Sequence, residues 1–175
     1  MTHRIRLATQ QDAPDLAKVQ TASWRAAFRG LLSDEFLDAL DHEALTRTWE
    51  GSLTRFEGPL AGTLISEQAY RVVGYSLYYP SDDEDDDSVR VGMIGSLYTL
   101  PDVWGTGVGK ALITASLDAM TSAGYAEATL WVLEGNTRAR SFYGRNGWHH
   151  DGAVVVDRSD VPPFRKLRYR KDLSG

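Results

Sequence analysis

The stretch Leu97–Lys110, LYTLPDVWGTGVGK, contains the residues whose types and spacing are best suited to chemistry. A short apolar run leads into it, and Gly105, Gly107 and Gly109 then alternate just before an amphipathic run begins. This pattern predicts a strand that passes through a tight turn into the first turn of a helix. Glycine lets another molecule approach the backbone closely, and the first amides of a helix have no internal partner and lie at the positive end of its dipole. The stretch therefore predicts a phosphate-binding site.

Two common phosphate-binding motifs do not fit this spacing. A dinucleotide fingerprint needs glycines at offsets 0, 2 and 5, but its third position falls on Lys110 or on Leu112. A nucleotide P-loop needs a glycine separated from Gly-Lys by four residues and a Ser or Thr after Gly-Lys, and those positions hold Trp104 and Ala111. The spacing that remains is x-x-G-x-G, ending at Gly109.

A second cluster follows at Leu130–Gly147, LWVLEGNTRARSFYGRNG. An apolar strand leads to Asn136, which is well suited to cap a helix, and the helix carries an A-x-x-F-Y sequence that ends at Phe142 and Tyr143. A glycine then ends the helix. A Tyr at this position can be a core residue, a catalytic acid, or both.

Together, the two clusters resemble the hallmarks of the GNAT acyl-CoA N-acetyltransferases, namely the pyrophosphate loop and the later Asn and A-x-x-F-Y helix. The segment Ser23–Leu37, SWRAAFRGLLSDEFL, is similar to the Trp–aromatic–Gly helix pair on the acceptor side in one branch of that family. The resemblance spans nearly the whole chain in the right order. It departs at the head of the loop, where the family usually has Arg or Gln and this chain has Trp104. That change removes one polar group but leaves the loop amides intact.

The periodicity along the chain predicts a mixed α/β domain with helices on both faces of the sheet. The resemblance implies the GNAT fold, an α/β domain with a mixed central sheet of about seven strands that splays between strands 4 and 5. Predicted strands cover Arg4–Ala8, Leu60–Glu67, Ala69–Tyr79, Val89–Thr99, Glu127–Leu133, Ala153–Asp157 and Phe164–Arg170. Predicted helices cover Ala13–Phe28, a short segment capped by Ser33, a segment marked by Leu45, Trp49 and Leu53, Gly107–Ser122, and a segment from Asn136 to Gly147.

Composition limits the remaining choices. The 175 residues, 42% hydrophobic, are expected to form a single domain, residues 1–175. The chain has no Cys, no secretory signal and no apolar run long enough to cross a membrane, so we expect a cytoplasmic protein that does not bind a membrane.

Residues 82–87, DDEDDD, contribute −6 to the net charge of −5, so the rest of the chain carries +1. The sequence contains no basic stripe of the kind that would indicate nucleic-acid binding. The acidic segment is either a solvated loop or a surface that attracts a cationic acceptor.

The resemblance implies acetyl-CoA as the acyl donor and no metal. The pantetheine arm would lie in the gap between the fourth and fifth strands, against the backbone of Leu97, Tyr98 and Thr99. The pyrophosphate would be bound by the amides of the loop that Trp104 leads into, and Asn136 would contact the cofactor. The predicted loop residues are Gly105, Thr106, Gly107, Val108, Gly109 and Lys110. The Lys110 side chain either lies near phosphate or is simply solvated.

Tyr143 matches the general acid of the family. A thiol with a pKa near 8.5 is a stronger acid than a phenol with a pKa near 10, so Tyr143 would mainly donate a hydrogen bond to the departing sulfur. A general base is not identified from the residues. Glu134 could act through water, and a neutral acceptor or a chain of waters would also suffice. Trp24, Phe28 and Tyr78 are candidates to line the acceptor pocket.

Two functions follow. The first is an N-acetyltransferase that moves acetyl from acetyl-CoA to a primary amine, by direct attack within a ternary complex. The acceptor would be a small-molecule or peptide amine, and the protein could be a homodimer. The second is a sensor with the same fold that binds acyl-CoA without turning it over. The sequence leaves open the identity of the amine and the length of the acyl chain.

Overall fold

The computed structural model describes residues 3–174 of the chain. Seven strands form one sheet in the spatial order β1-β2-β3-β4-β5-β7-β6. Their bounds are β1 (Arg4–Leu7), β2 (Gly62–Gln68), β3 (Arg71–Pro80), β4 (Val91–Thr99), β5 (Glu127–Leu133), β6 (His149–Asp157) and β7 (Phe164–Asp172). The pairing of β4 with β5 is parallel, and the other neighbouring strands pair antiparallel. The sheet is therefore mixed, as the sequence predicted.

Five α-helices cover the two faces of this sheet. They are α1 (Ala13–Phe28), α2 (Asp34–Asp38), α3 (His42–Arg55), α4 (Val108–Ser122) and α5 (Thr137–Arg145). Successive side chains of a strand point to opposite faces, and two neighbours in β3 identify those faces. A Cβ at Gly74 would meet Leu112 of α4, whereas the ring of Tyr75 packs against Trp49 of α3 at 4.8 Å. Thus α4 lies on one face and α3 on the other. No described helix is long and apolar enough to span a bilayer.

The sheet opens between β4 and β5. These two strands pair over only four residues each, from Val91↔Glu127 to Ile94↔Leu130, although both strands continue further. At the same point the register between β3 and β4 shifts, because Leu77 pairs with Ser96 while the next residue of β3 pairs with Ile94. Gly95 is the extra residue, as in a β-bulge, and a Cβ there would collide with the ring of Tyr79. The predicted splay between strands 4 and 5 is confirmed, and the bulge lies at its origin.

Four strands begin at different residues from those predicted: β2, β3 and β4 each begin two residues later, and β6 begins four residues earlier. The predicted third strand included Ala69 and Tyr70, but these two residues have positive φ angles of 48° and 63° and form the turn of the β2–β3 hairpin. Positive φ at both central residues is the geometry of a type I′ turn, which Gly and Asn usually supply. The apolar residue types therefore concealed the turn.

The sixth strand begins at His149, four residues before the predicted start. His149 and His150 pair with β7, and the register then shifts before Val154, next to Gly152 with its φ of 100°. This irregularity interrupts the alternation of side chains on which the prediction depended.

The acidic segment 82–87 is held against the sheet by two arginines of β7. The side chain of Arg168 is only 5% exposed, and its pairing raises its pKa above the already high value of arginine, chiefly through its hydrogen bond to Asp85. Arg168 pairs with Asp83, Asp85 and Asp151, and Arg170 pairs with Asp86, Glu127 and Asp151, at distances between 2.6 and 3.2 Å. The segment is therefore a structural part of the sheet surface, and half of its six carboxylates are already paired with arginine.

Candidate functional site

The gap between β4 and β5 opens into a cavity of about 980 Å³. Its walls come from the ends of the two splayed strands, the glycine loop, one face of α5, the C-terminal half of α1 and the β6–β7 connection. Beyond Ile94 and Leu130, the edges of β4 and β5 that face each other carry no ladder pairing. Backbone donors and acceptors along these edges are thus available to an extended ligand.

The glycine loop forms one end of the cavity. Gly105 and Gly107 have φ angles of 79° and 94°, so the loop needs glycine at both positions. Gly107 is the N-cap of α4 and supplies no capping side chain, so the first amides of α4 remain without a partner from the cap. Gly109 and Lys110 also line the cavity. Among the predicted loop residues, Thr106 and Val108 lie outside the lining, since Val108 is fully buried in the core and Thr106 bonds back to the Val103 carbonyl.

The end of β4 forms a second wall, and its backbone is partly engaged. Leu97, Tyr98 and Thr99 all line the cavity. The Thr99 carbonyl, however, already accepts hydrogen bonds from Ser23 Oγ at 2.9 Å and from Trp104 Nε1 at 3.0 Å. This carbonyl therefore anchors α1 and the loop to the end of β4.

Tyr143 lines the cavity from α5 and is 8% exposed. Its ring packs against Phe142, Trp148 and Tyr169, with centroids 5.3 to 6.3 Å apart. Within residues 3–174 its hydroxyl makes no hydrogen bond, and burial raises its pKa well above the usual value of 10. Tyr143 is thus a fixed, neutral hydrogen-bond donor at the cavity wall.

Asn136 is the N-cap of α5. Its side-chain oxygen accepts a hydrogen bond from the Ala139 amide at 3.1 Å, and the residue also lines the cavity. The capping role predicted from the sequence is confirmed. The cap fixes where α5 starts, and hence where Tyr143 lies two turns later.

Aromatic side chains dominate the end of the cavity nearest α1. Trp24 and Phe28 both line it, with ring centroids 5.5 Å apart, and Tyr98 of β4 lies about 6 Å from each of them. Phe36 and Phe164, which the sequence reasoning did not select, complete this end. Phe164 is distant in sequence and is brought here only by the sheet order, so no local pattern could have identified it.

Two of the predicted acceptor-side residues lie elsewhere. Tyr78 is buried on the opposite face of the sheet, two residues after Ser76, which hydrogen-bonds to Ser116 of α4. Glu134 lies outside the cavity lining and pairs with Arg165 at 3.5 Å. We therefore remove Tyr78 and Glu134 from the site.

The charged side chains that line the cavity are mostly cationic. They are Lys110, Arg138, Arg145, Lys166 and, as the one carboxylate in the lining among the described residues, Asp157. Asp157 accepts hydrogen bonds from Ser159 and pairs with Lys166 at 2.9 Å, and these contacts lower its pKa to about 2. A carboxylate with so low a pKa is a poor general base at neutral pH.

Known proteins were compared with this fold and site. A relative in Mycobacterium tuberculosis, described as a probable N-acetyltransferase, is 28% identical over 155 residues, covering 87% of this chain and 83% of its own. The PaiA N-acetyltransferase of Thermoplasma acidophilum, crystallised with coenzyme A, has a TM-score of 0.73 at 21% identity and covers 98% of this chain and 99% of its own. YncA of Salmonella typhimurium, whose structure contains acetyl-CoA, has a TM-score of 0.74 at 16% identity and covers 100% of this chain and 96% of its own.

The fold and the site define a class of α/β protein in which a mixed sheet opens between two parallel strands beside the N-terminus of a helix. The model of the acetyltransferase (GNAT) family matches residues 22–148, which include the glycine loop, Asn136 and Tyr143. The chain therefore belongs to the GNAT family of acetyltransferases.

Proposed function

We propose that this protein transfers the acetyl group of acetyl-CoA to a primary amine, by direct attack of the amine on the thioester while both substrates are bound. The observation that carries the proposal is the unpaired gap between β4 and β5, with Tyr143 in the lining of the cavity. An extended thioester lying in this gap would have backbone groups on both sides and a hydrogen-bond donor near its sulfur.

The donor would lie with its phosphates at the glycine loop. The amides of residues 105–110 would bind the pyrophosphate, since α4 begins there without a side-chain cap. The pantetheine arm would follow the backbone of Leu97 and Tyr98, with Asn136 on the opposite side of the gap. One amide of β4 would face the thioester oxygen and stabilise the oxyanion that forms during attack.

Tyr143 would act as a hydrogen-bond donor to the departing sulfur. Burial raises its pKa, whereas a thiol has a pKa near 8.5, so complete proton transfer from the phenol to the thiolate is unfavourable. A donated hydrogen bond stabilises the developing thiolate without that transfer. The proton released by the amine can then reach the sulfur through solvent.

The amine would have to attack in its neutral form. An alkylammonium with a pKa near 10.4 is neutral in only about one molecule in two thousand at pH 7. Because the carboxylate of Asp157 is too weak a base, we propose that the acceptor loses its proton to water before attack. The rate would therefore depend on pH through the acceptor itself.

The acceptor would enter from the end of the cavity formed by Trp24, Phe28 and Tyr98. Apolar and aromatic walls favour the body of a small molecule or a peptide side chain that carries the amine. The acidic segment 82–87 would contribute little to attracting it, because Arg168 and Arg170 already pair with three of its carboxylates.

A sensor that binds acyl-CoA without catalysis is the second candidate. The absence of a competent carboxylate base from the described cavity lining favours it. The Tyr143 hydroxyl favours the catalytic function, because a sensor does not need a hydrogen-bond donor to the departing sulfur.

The decisive experiment is the release of free thiol from acetyl-CoA in the presence of a panel of primary amines, followed with a thiol-reactive dye. If the protein is an enzyme, thiol release should require one class of amine, and mass spectrometry should detect the acetylated product. Calorimetric titration with acetyl-CoA is run in parallel. Binding without turnover across the panel would favour the sensor, and the absence of both would refute the two candidates together.

The remaining expectations stay predictions. We propose that residues 1–175 form one domain, and that the protein binds neither a nucleic acid nor a membrane. Gel filtration with light scattering would test the homodimer. The cytoplasmic location also stays a prediction.

A further inference from the structure

Arg138 and Trp104 form a close stack at the mouth of the gap. The guanidinium carbon of Arg138 lies 3.3 Å from the centroid of the Trp104 ring, close enough for a strong cation–π contact. Arg138 is in the first turn of α5, just beyond β5, whereas Trp104 lies just beyond β4. The stack therefore joins the two sides of the cavity at the point where the glycine loop begins.

The position of Trp104 is fixed by the end of β4. Its Nε1 donates to the Thr99 carbonyl at 3.0 Å, and Ser23 Oγ donates to the same oxygen at 2.9 Å. With its ring edge hydrogen-bonded in this way, Trp104 presents a face on which a planar guanidinium can rest.

The charge of Arg138 has no counter-ion among the described residues. Across residues 3–174, no carboxylate pairs with Arg138 and no hydrogen bond engages its guanidinium, whereas Arg140, two residues later, donates to the Glu134 carbonyl and to the Tyr169 hydroxyl. Partial desolvation lowers the pKa of Arg138, which nevertheless remains charged at neutral pH. An unpaired, partly desolvated cation in the lining of a large cavity is suited to bind an anion.

The loop itself offers little charge for such an anion. Between Trp104 and Lys110, the only charged side chain is that of Lys110, which is exposed on α4. The backbone amides of the loop contribute only partial positive charges. A second cation must therefore come from outside the loop, and Arg138 is the cation in contact with the residue that begins it.

We propose that Arg138, held against the ring of Trp104, is a phosphate-binding residue for the acyl-CoA substrate and supplies from α5 a second cation in addition to Lys110 of the loop. This inference rests on the proposed function, because the phosphates are those of coenzyme A. The ligand chemistry is a phosphate oxyanion, which coenzyme A carries both in its pyrophosphate and in its 3′-phosphate. In this role Trp104 positions the arginine and contributes no charge of its own.

The test is calorimetric titration of coenzyme A and of 3′-dephospho-coenzyme A into the wild-type protein and three single variants. Arg138→Met removes the charge and keeps the length of the side chain. Arg138→Lys keeps the charge but loses the planar stack. Arg55→Met is the matched control, since Arg55 also stacks on an aromatic ring, Phe56 at 5.0 Å, outside the cavity.

We expect Arg138→Met to weaken coenzyme A binding by about 10- to 100-fold, the range for a lost hydrogen bond between charged groups. Arg138→Lys should recover part of this loss, and Arg55→Met should bind as the wild type does. If the loss persists with dephospho-coenzyme A, the contacted group is the pyrophosphate. If it disappears, the contacted group is the 3′-phosphate.

The role of Trp104 is tested by a double-mutant cycle with Trp104→Leu. If Trp104 acts by holding Arg138, the double variant should bind no more weakly than Arg138→Met alone. Additive losses would overturn the positioning role. Wild-type affinity in Arg138→Met would overturn the inference while leaving the proposed function intact. A wild-type protein that binds no coenzyme A would refute the proposed function itself.

Discussion

Replacing Tyr143 by Phe isolates the contribution of one hydroxyl to turnover. The ring of Tyr143 is packed by Phe142, Trp148 and Tyr169, and within the described residues its hydroxyl has no protein partner. Phe should therefore occupy the same site with the same packing. We expect the free energy of unfolding to change by less than about 0.5 kcal/mol.

The size of the kinetic effect follows from the state of the hydroxyl. Because burial raises the pKa of Tyr143, the group stays neutral and donates a hydrogen bond to a sulfur that gains negative charge only as the thioester breaks. A hydrogen bond to a charged group contributes about 1.5–3 kcal/mol. Its loss from the transition state alone should lower kcat by about 10- to 150-fold.

The assay combines two measurements on the same preparations. Thiol release at saturating acetyl-CoA and amine gives kcat, and calorimetry gives the Kd for acetyl-CoA, which should change by less than about twofold. Tyr169→Phe is the matched control, because Tyr169 lies beside Tyr143 but its hydroxyl hydrogen-bonds to Arg140 and does not line the cavity. Its kcat should stay near that of the wild type.

Equal turnover in Tyr143→Phe and wild type would remove Tyr143 from the mechanism. A parallel loss of kcat in Tyr169→Phe would show that disturbed packing, and not the missing donor, explains the result. Either outcome would refute the reasoning from the position and pKa of Tyr143.

Three further predictions follow from the loop, the arginine network and the absence of a base. Because Gly107 has a φ of 94°, Gly107→Ala should destabilise the loop by about 1–2 kcal/mol and weaken coenzyme A binding. Gly109→Ala should bind coenzyme A normally, since a Cβ at Gly109 would meet its nearest atom only at 3.8 Å. Denaturant unfolding measures the stability of the two variants, and calorimetry measures their binding. Arg168→Met should lower the stability by about 3 kcal/mol at pH 7, because it leaves the mostly buried Asp83 without an ion pair and leaves Asp151 paired with Arg170 alone. Hydrogen bonding to Arg168 lowers the pKa of Asp85 to about 2 in the folded state, below its unfolded value near 3.9. Asp85 therefore stabilises the fold above about pH 4 and loses that contribution as the pH falls toward 2, so the acid side of a stability profile should be flatter in Arg168→Met. Finally, kcat/KM should rise about tenfold per pH unit up to the pKa of the acceptor amine, and a plateau beginning near pH 6 would indicate a base on the protein.

The sequence predicted those parts of the site that depend on local patterns. The glycines at positions 105 and 107 indicate a turn with positive φ, and both residues have positive φ. The position of Asn136 just before a helical run predicts that Asn136 caps the helix, as it does. Each of these signals arises within a few residues of the feature that it predicts.

The remaining parts depend on contacts between distant segments. The Trp104–Arg138 stack joins residues on either side of the gap, and Phe164 reaches the cavity only because β7 lies next to β5. Residue type makes Tyr78 a candidate for the acceptor pocket, but alternation along β3 puts it on the α4 face. The ion pairs of Arg168 likewise determine the role of the acidic segment, which composition alone left open.

The most direct test of the account is a crystal structure of the protein with coenzyme A bound. The account predicts coenzyme A extended between β4 and β5, with its pyrophosphate on the amides of residues 105–110. Its sulfur should lie within about 3.5 Å of the Tyr143 hydroxyl, a range in which the hydroxyl can donate to it. Coenzyme A bound elsewhere on the chain, or a gap closed by ladder pairing between β4 and β5, would contradict the account.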